Sequence, residues 1–393
     1  MNTATPSLQG RSEPFGYPQT PAPGRRRRWP RIVTWTAVVV TLLLAATLIA
    51  ASTVTVPYYA IQPGSARQVD DLIAVPPDQA HPPKGQVLLV TVGVARLTAL
   101  GYLVAKRDKD VDVWTAKQYL GNQSDKQVNQ LGRQEMVDSQ NFAEVTALRR
   151  LGHPVVERGE GATMEQVDPG TPAAGHLRPG DLVTVADGKP VAVAQDLRTE
   201  IQTRKPGDLL TLTVTGPESG ATSRTENITL GPRPDNPKLG FLGVVFITHN
   251  QHFRMPFDIK IDSGNIGGPS AGLAFTLGLL DELTPGELTG GQKVAATGTI
   301  DASGNVGPIG GARQKTVAVL AQHAKVFLVP ADDYKDAKAR AGSQVKVIPV
   351  CTLEDALIAL RSLGGDTSTL GPPPSTLATQ PAPDCKIPAG AGR

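Results

Sequence analysis

The sequence predicts a multidomain α+β protein with an N-terminal transmembrane helix, a β-rich domain and a C-terminal α/β domain. Three observations predict this class. An apolar run covers residues 32–56, short strands separated by Pro-Gly and Asp-Gly turns occupy residues 155–236, and strand and helix patterns alternate over residues 237–363. The chain of 393 residues has room for two or three domains, since a domain typically takes about 100–200 residues.

The N-terminal segment joins a basic tail to a long apolar stretch. Residues 1–31 contain six arginines and one glutamate, a net charge of +5, and their Pro- and Ser-rich composition predicts a disordered tail. Residues 32–56 contain no charged residue and are long enough to cross a hydrocarbon core, which needs about 20 residues. Because Arg25 to Arg28 precede this run, the positive-inside rule predicts a cytoplasmic N-terminus and an extracytoplasmic body.

A cleaved signal peptide is the alternative to this membrane anchor. The segment Leu48–Ser52 contains small residues suitable for cleavage. The apolar run is longer than the core of an ordinary signal peptide, which has about 7–15 residues, so we favour the uncleaved anchor. Tyr58 and Tyr59 follow the anchor, and we expect both at the level of the lipid headgroups.

Charge and cysteine content limit the other classes of function. The whole chain has a formal net charge of +3, so the part after residue 31 is nearly neutral and gives no support for nucleic-acid binding. Only Cys351 and Cys385 are present. Outside the cytoplasm a disulfide between them is permitted but not required, and without histidines at suitable spacing they do not predict a metal site. We expect no cofactor.

Residues 57–154 are predicted to form a membrane-proximal α/β region. The apolar run over residues 86–92 predicts a strand, and the spacing of apolar residues over 126–151 predicts helices that end at Gly152.

Residues 155–236 have the turn pattern of a compact β-rich domain. Residues 177–191 contain Pro-Gly and Asp-Gly turns, a polar helix is predicted near 196–203, and residues 209–215 follow as a strand. This order resembles a bacterial PDZ domain, which implies capture of C-terminal peptides by strand addition. A clear Gly-Leu-Gly-Phe-type cradle does not precede Met164. The segment Leu239–Gly243 has a similar composition, but it follows the last strand, so we expect it to open the next domain.

Two glycine-rich motifs in the C-terminal part carry the chemistry. Gly268-Pro-Ser-Ala-Gly272 places Ser270 before an apolar helix, and the motif that begins at Gly307 leads to Lys315, 45 positions after Ser270. Serine needs a nearby base to act as a nucleophile. A lysine is a base only when it is neutral, which requires burial, and Lys315 is followed by an apolar run. Taken alone, Ser270 is explained equally well as a helix N-cap.

Together these motifs, with the segment Ala295–Ile300 between them, resemble the proteolytic domain of Lon-type proteases over about residues 238–363. The resemblance implies that Ser270 is the nucleophile and Lys315 the general base. It also implies that Thr297 is a supporting residue that orients the lysine. The order of membrane anchor, PDZ-like domain and Lon-like domain is similar to that of the bacterial YlbL-type family.

Two departures from Lon proteases shape the expected function. Gly267 stands where these proteases usually carry an acidic residue, and the sequence contains no Gly-x-x-x-x-Gly-Lys-[Ser/Thr] phosphate loop. We therefore expect an ATP-independent serine endopeptidase that acts on flexible or exposed extracytoplasmic polypeptides, with the PDZ-like domain assisting recruitment. A membrane-tethered PDZ adaptor with an inactive protease-like domain is the alternative. A homo-oligomer is possible under either hypothesis.

A Ser-His-Asp triad is the rival mechanism for the same serine. The candidate bases are His249, His252 and His323, with Asp258 or Asp262 to orient them. No local motif supports this arrangement. After the C-terminal domain, Pro, Thr, Ser and Gly dominate the composition of residues 364–393, which predicts a disordered tail.

Overall fold

The computed structural model describes residues 29–218, 220–234, 236–378 and 385–388. Within them, the α-helices are α1 (Trp29–Thr53), α2 (Ala99–Ala105), α3 (Ala116–Leu120), α4 (Asp125–Arg150), α5 (Ala194–Gln202), α6 (Gly272–Glu282), α7 (Ala312–Ala321), α8 (Tyr334–Ala341) and α9 (Leu353–Ser362). Short 3-10 helices cover Asp70–Leu72, Ala331–Asp333 and Ser368–Leu370.

The strands of the same residues fall into two larger sheets and several two-stranded ladders. They are β1 (Thr55–Gln68), β2 (Ile73–Ala74), β3 (Gln86–Thr98), β4 (Asp112–Thr115), β5 (Val156–Arg158), β6 (Ala162–Val167), β7 (Leu182–Ala186), β8 (Lys189–Pro190), β9 (Leu209–Thr215), β10 (Arg224–Thr229), β11 (Gly231–Pro232), β12 (Gly240–Phe241), β13 (Val244–Thr248), β14 (His252–Arg254), β15 (Lys260–Ile261), β16 (Lys293–Ala296), β17 (Thr299–Ile300), β18 (Val306–Gly307), β19 (Val326–Pro330) and β20 (Lys346–Val350).

The first sheet joins segments that lie far apart in the chain. Its strand order is β20-β19-β16-β3-β1-β4. Strands β3, β16, β19 and β20 are parallel, whereas β1 runs antiparallel to both β3 and β4. Residues 57–154 and 237–363, which the sequence analysis treats as separate regions, therefore share one sheet. The sheet is shared because β16 lies between β19 and β3, and β3 is its parallel partner on the second side.

This sheet is buried on both faces, which explains the nearly continuous apolar runs in its strands. Leu89 and Leu328 pack in a core with α4, α6 and α9, while their neighbours Leu88 and Phe327 pack in a second core with α7 and α8. The result is a three-layer arrangement of helices, sheet and helices.

The β-rich unit forms the second large sheet, with the order β10-β9-β7-β6-β13 and β8 paired to β7. Leu197 and Ile201 of α5 are buried in its core. β13 pairs with β6, and β12 pairs with β11, while Leu242 is buried in the same core. The expectation that Leu239–Gly243 opens the next domain is therefore wrong. These residues complete the β-rich unit because its last strand returns to lie beside its first long strand.

The N-terminal helix α1 contains the candidate membrane span. Residues Val33–Thr53 form a helical stretch of 21 residues that is long and apolar enough to cross a bilayer. Tyr58 and Tyr59, which follow this helix, differ in their burial. Tyr58 is only partly buried, whereas Tyr59 is 3% exposed and donates a hydrogen bond to Asp125 Oδ1 at 2.5 Å. The headgroup position predicted for Tyr59 is wrong, because its ring is buried in the folded body and its hydroxyl is bonded to Asp125 at the start of α4.

The structure also differs from the predicted C-terminal disorder. Over residues 364–378, Leu370 and Leu377 are buried, and the guanidinium of Arg150 donates to the carbonyl oxygen of Leu370 at 2.6 Å. Cys351 and Cys385 form a disulfide. Apolar anchors and a covalent bond therefore hold this segment on the body. The predicted disorder of residues 1–28, 379–384 and 389–393 lies outside the described residues.

Candidate active site

The three residues singled out in the sequence meet at the carboxyl end of β16. Thr297 directly follows β16, Ser270 precedes α6 on one face of the sheet, and Lys315 lies in the first turn of α7 on the other face. In open α/β sheets, ligand sites commonly form beyond the carboxyl ends of parallel strands. The start of α6, the first turn of α7 and the end of β16 thus meet at one point.

The polar groups at this point form a connected set of hydrogen bonds. Lys315 Nζ lies 2.6 Å from Ser270 Oγ and 2.9 Å from Thr297 Oγ1. Thr297 Oγ1 donates its hydrogen to the carbonyl oxygen of Ser270 at 3.0 Å. Because a hydroxyl has one hydrogen, the Thr297 oxygen accepts from Lys315 rather than donating to it. This arrangement leaves the amine free to direct its lone pair at Ser270 Oγ when it is neutral.

Burial changes the proton affinity of this lysine. Lys315 is 2% exposed, and desolvation lowers its pKa from 10.5 to about 7, while the nearby charge of Asp333 opposes part of the decrease. Burial disfavours the charged form of an amine because the surrounding protein solvates it less well than water. A substantial fraction of Lys315 is therefore neutral near pH 7, as a general base requires.

Helix α4 holds the loop that carries Ser270. Ser139 Oγ donates to the carbonyl oxygen of Pro269 at 3.0 Å, and the amide of Gly268 donates to the carbonyl oxygen of Gly132 at 2.7 Å. Gly268 has a φ of +91°, a conformation that favours glycine. Gly132 and Ser139 were not predicted as site residues, since neither belongs to a motif. The small residues at 132 and 139, seven positions apart on one helix, were the available signal.

A cleft of about 640 Å³ opens beside these groups. This volume is in the range of about 300–1,000 Å³ typical of ligand sites. The cleft is lined by residues 89–92, Met136, residues 265–271, Thr299, residues 308–310 and Lys315. Part of its wall therefore comes from β3 and α4, which precede the β-rich unit in the chain.

The histidines of the rival mechanism lie elsewhere. His249 Nδ1 is 3.0 Å from Thr163 Oγ1, and His252 Nδ1 is 3.1 Å from the carbonyl oxygen of Asn250. His323 follows the end of α7 and is exposed. None of the three lines the cleft. In the described part of the chain, Lys315 is the basic side chain that contacts Ser270.

Comparison with known families matches this architecture. The family model described as the Lon protease (S16) C-terminal proteolytic domain matches residues 245–360, and that of the PDZ domain matches residues 149–220. The chain carries a PDZ domain and a Lon-type proteolytic domain. Both resemblances inferred from the sequence are confirmed, as is the mixed α/β fold class with an N-terminal candidate membrane span.

Individual relatives agree with the Lon-type domain. The Lon protease of Neorickettsia sennetsu is 29% identical over 153 residues, which cover 38% of this chain and 17% of that protein. The Lon protease of Azospirillum brasilense is 39% identical over 94 residues, covering 23% of this chain and 11% of that protein. This chain therefore spans 17% or less of the length of these relatives.

Several solved structures of PDZ domains are similar to part of this chain. One of them is the PDZ domain of the SdrC-like protein from Listeria innocua, at 26% identity and a TM-score of 0.21, covering 23% of this chain and 99% of that chain.

The PDZ domain contains a groove of about 490 Å³ between α5 and β13. Arg198 and Ile201 line it from α5, and residues 240–246 line the opposite side. β13 is the end strand of its sheet, the kind of position at which PDZ domains in general take up an added strand. The segment Leu239–Gly243, predicted to open the next domain, lies in the PDZ domain, where it follows the other strands. Its position directly before the apolar strand β13 was the available signal.

Proposed function

We propose that this protein is a membrane-anchored, ATP-independent serine endopeptidase with a Ser270–Lys315 catalytic dyad. One observation carries the proposal. Lys315 Nζ lies 2.6 Å from Ser270 Oγ, and the lysine is buried enough that a substantial fraction of it is neutral near pH 7. A solvated surface lysine would remain protonated at this pH and could not accept the serine proton.

The proposed reaction has two half-steps. Ser270 Oγ attacks the scissile carbonyl carbon while neutral Lys315 takes the hydroxyl proton. The tetrahedral intermediate then breaks its C–N bond, and Lys315 returns the proton to the departing amine. In the second half-step, Lys315 takes a proton from water as the water oxygen attacks the Ser270 ester. Collapse of that intermediate releases the carboxylic acid product and restores the Ser270 hydroxyl and the neutral lysine.

The start of α6 supports charge stabilisation in this reaction. Ser270 lies two residues before Gly272, the first residue of the helix, whose N-terminal amides and dipole favour negative charge. A well-placed backbone donor to the oxyanion is worth about 3 kcal/mol. The amide of Gly268 already donates to Gly132, so we assign the oxyanion donors to the amides at Ser270 and Ala271.

Thr297 is proposed to position the base rather than to react. Its oxygen accepts from Lys315 and its hydrogen goes to the Ser270 carbonyl, so it ties the two members of the dyad to each other. Thr297 is itself fully buried, and the neighbouring strand β19 holds its backbone, because the Thr297 amide donates to the carbonyl oxygen of Leu328 at 3.1 Å.

The PDZ groove supports recruitment of flexible polypeptides. Strand addition along β13 requires an extended segment that has no partner strand of its own. The chain has no phosphate loop, so we propose that substrates enter the cleft without ATP-driven unfolding. Exposed or unstructured C-terminal ends satisfy both requirements.

The proposed location is the cell membrane, with the N-terminus in the cytoplasm and the catalytic domain outside it. The span in α1 and the arginines before it support this orientation. The disulfide between Cys351 and Cys385 gives independent support, because disulfides persist in oxidising compartments. Protease added outside intact cells should digest the body and leave a small N-terminal fragment in the membrane. Release of the whole body with a new N-terminus near Ser52 would contradict the anchor.

The activity is tested with the full chain in lipid nanodiscs and an unstructured polypeptide such as casein. We expect cleavage at the same rate with and without ATP, and none by the Ser270→Ala variant. Two further substrates test the PDZ groove. They differ only at the C-terminus, which is a free carboxylate in one and an amide in the other. Binding that prefers the free carboxylate, without any cleavage, would instead establish the adaptor function.

A further inference from the structure

Helix α2 lies at the point where α1 leaves the proposed membrane span. The amide of Ala99, the first residue of α2, donates to the carbonyl oxygen of Val54 at 3.1 Å, and Val54 directly follows α1. The two helices are also in contact. Since α2 touches α1 and abuts its end, a bilayer crossed by α1 places α2 at the boundary between lipid and water.

The outer side of α2 is apolar and unusually exposed. Leu103 is 52% exposed and Val104 is 62% exposed. Val54, at the neighbouring end of α1, is 58% exposed. Each of these side chains leaves apolar surface in water in the isolated chain, and burial of a Leu or Val side chain stabilises by about 1.5–3 kcal/mol. A lipid surface at this position would cover them.

The helix is held firmly against the body, so these exposed side chains are presented in a defined orientation. Thr98 caps the helix by accepting a hydrogen bond from the Gly101 amide at 3.1 Å. The ring of Tyr102 lies 4.5 Å from that of Tyr58, measured between centroids. Ala105 is buried in a small core that also includes Ala60 and Leu97.

Positive charge follows directly after the apolar pair. Lys106, Arg107 and Lys109 stand within the next five residues, against a single acid, Asp108. Lys106 Nζ lies 4.9 Å from the centroid of the Tyr102 ring. Basic side chains next to an apolar surface helix are attracted to anionic lipid headgroups.

We infer that α2 rests in the interface of the bilayer that α1 crosses, with Leu103 and Val104 among the upper acyl chains. Lys106, Arg107 and Lys109 then lie against anionic phospholipid headgroups. The inference rests on the proposed membrane anchor and extends it. α1 alone would leave the body free to pivot about one connection. A second contact through α2 sets the orientation of the sheet edge formed by β1 and β4 relative to the bilayer.

The test measures membrane depth with single cysteines carrying a nitroxide label, placed in the full chain with its native disulfide intact. Val104→Cys is the test site, and Leu43→Cys, within α1, reports the anchor itself. Ile358→Cys is the matched control, because it is an apolar helix residue that is 45% exposed. It lies on α9, which packs on β20 at the opposite edge of the sheet. The protein is reconstituted at one copy per nanodisc, with a parallel sample at two copies per nanodisc.

We expect labels at 43 and 104 to be more accessible to oxygen than to a water-soluble nickel complex, and the label at 358 to show the reverse. A lipid-exposed label at 43 with a water-exposed label at 104 would overturn the inference and leave the anchor intact. A water-exposed label at 43 would overturn both. Protection of the label at 104 that occurs only in discs with two copies would assign this face to a second copy and also overturn the inference.

A separate variant tests the proposed contact between the basic side chains and the lipid headgroups. Lys106, Arg107 and Lys109 are replaced together by glutamine in the chain that carries the label at 104. In the parent, we expect a deeper label in discs containing phosphatidylglycerol than in discs of phosphatidylcholine alone. The triple variant should lose this difference. An equal dependence on phosphatidylglycerol in both chains would contradict the role assigned to the basic residues.

Discussion

The amide of Gly268 donates a hydrogen bond to the carbonyl oxygen of Gly132 at 2.7 Å. This bond joins the loop that carries Ser270 to α4, a helix that precedes the PDZ domain in the chain. A side chain at residue 267 would lie 3.2 Å from the backbone of Gly132, so the two backbones approach closely. The segment before the PDZ domain is thus part of the same folded body as the Lon-type domain, and the geometry of the serine loop depends on it.

The first prediction concerns this support. Ser139→Ala removes the hydrogen bond to the Pro269 carbonyl oxygen and should lower the free energy of unfolding by about 1 kcal/mol. It should also reduce kcat, because the serine loop loses one of its supports. Ser362→Ala is the matched control, since its hydroxyl also donates to a backbone carbonyl, that of Ala359, on α9. A similar loss of stability in both variants with unchanged kcat would show that α4 does not support catalysis.

The second prediction concerns Thr297. Thr297→Val keeps the shape of the side chain but removes its hydroxyl, so Lys315 loses a partner and Ser270 loses the bond to its carbonyl. We expect kcat to fall by on the order of 10-fold or more with little change in KM, since general bases contribute about 100-fold or more when correctly placed. Thr297→Ser retains the hydroxyl and should recover most of the rate. Equal losses in both variants would indicate a packing role.

A third prediction uses Asp333, whose charge raises the pKa of Lys315 against the larger effect of burial. Asp333 Oδ2 also accepts a hydrogen bond from the Ile309 amide at 2.9 Å, which an asparagine side-chain oxygen can preserve. In Asp333→Asn, the pKa of Lys315 should fall, so the acidic limb of the activity profile should move to lower pH. Asp332→Asn, at an exposed neighbour, should leave the profile unchanged. A shift to higher pH in Asp333→Asn would contradict this electrostatic account.

The fourth prediction concerns stability and pH. The pKa of Lys315 is about 7 in the folded protein against its ordinary 10.5. Between these values the unfolded chain binds more protons, so the free energy of unfolding should rise with pH by up to about 1.4 kcal/mol per unit. The penalty from Lys315 is therefore largest below pH 7 and vanishes above the unfolded pKa.

Denaturant unfolding from pH 7 to 10 checks this sign. Lys315→Met should be at least as stable as the parent at pH 7, and the parent should gain on the variant as pH rises. Lys346→Met, at an exposed strand position, is the matched control and should show a constant difference from the parent. A constant difference for Lys315→Met as well, or a loss of several kcal/mol at pH 7, would argue against a buried neutral lysine.

Local chemistry explains what the sequence could predict. The glycine-rich turns before Ser270 and Lys315 are visible in the chain, and the apolar runs that follow them become α6 and α7. Both turns lead into helices, and both helices pack on β3. The two motifs were therefore enough to identify the candidate pair. The apolar span in α1 was visible for the same reason, since length and composition alone define it.

Long-range pairing explains what the sequence could not predict. The parallel pairing of β3 with β16 joins residues about 200 positions apart, and no local pattern specifies a partner at that distance. The same limit hid the contact between Gly132 and Gly268 and the return of β13 to the PDZ sheet. Tyr59 was misplaced because its hydroxyl partner, Asp125, is likewise distant in sequence.

The rate at which a serine-directed phosphonate labels Ser270, measured against pH and mapped by mass spectrometry, tests the dyad most directly. The account predicts covalent modification at Ser270 with a rate that rises through an apparent pKa of about 7, the value that burial gives Lys315. Lys315→Met, though folded, should not label. A folded parent that never labels, a rate that rises only near the pKa of a free lysine at about 10.4, or undiminished labelling of Lys315→Met would contradict it.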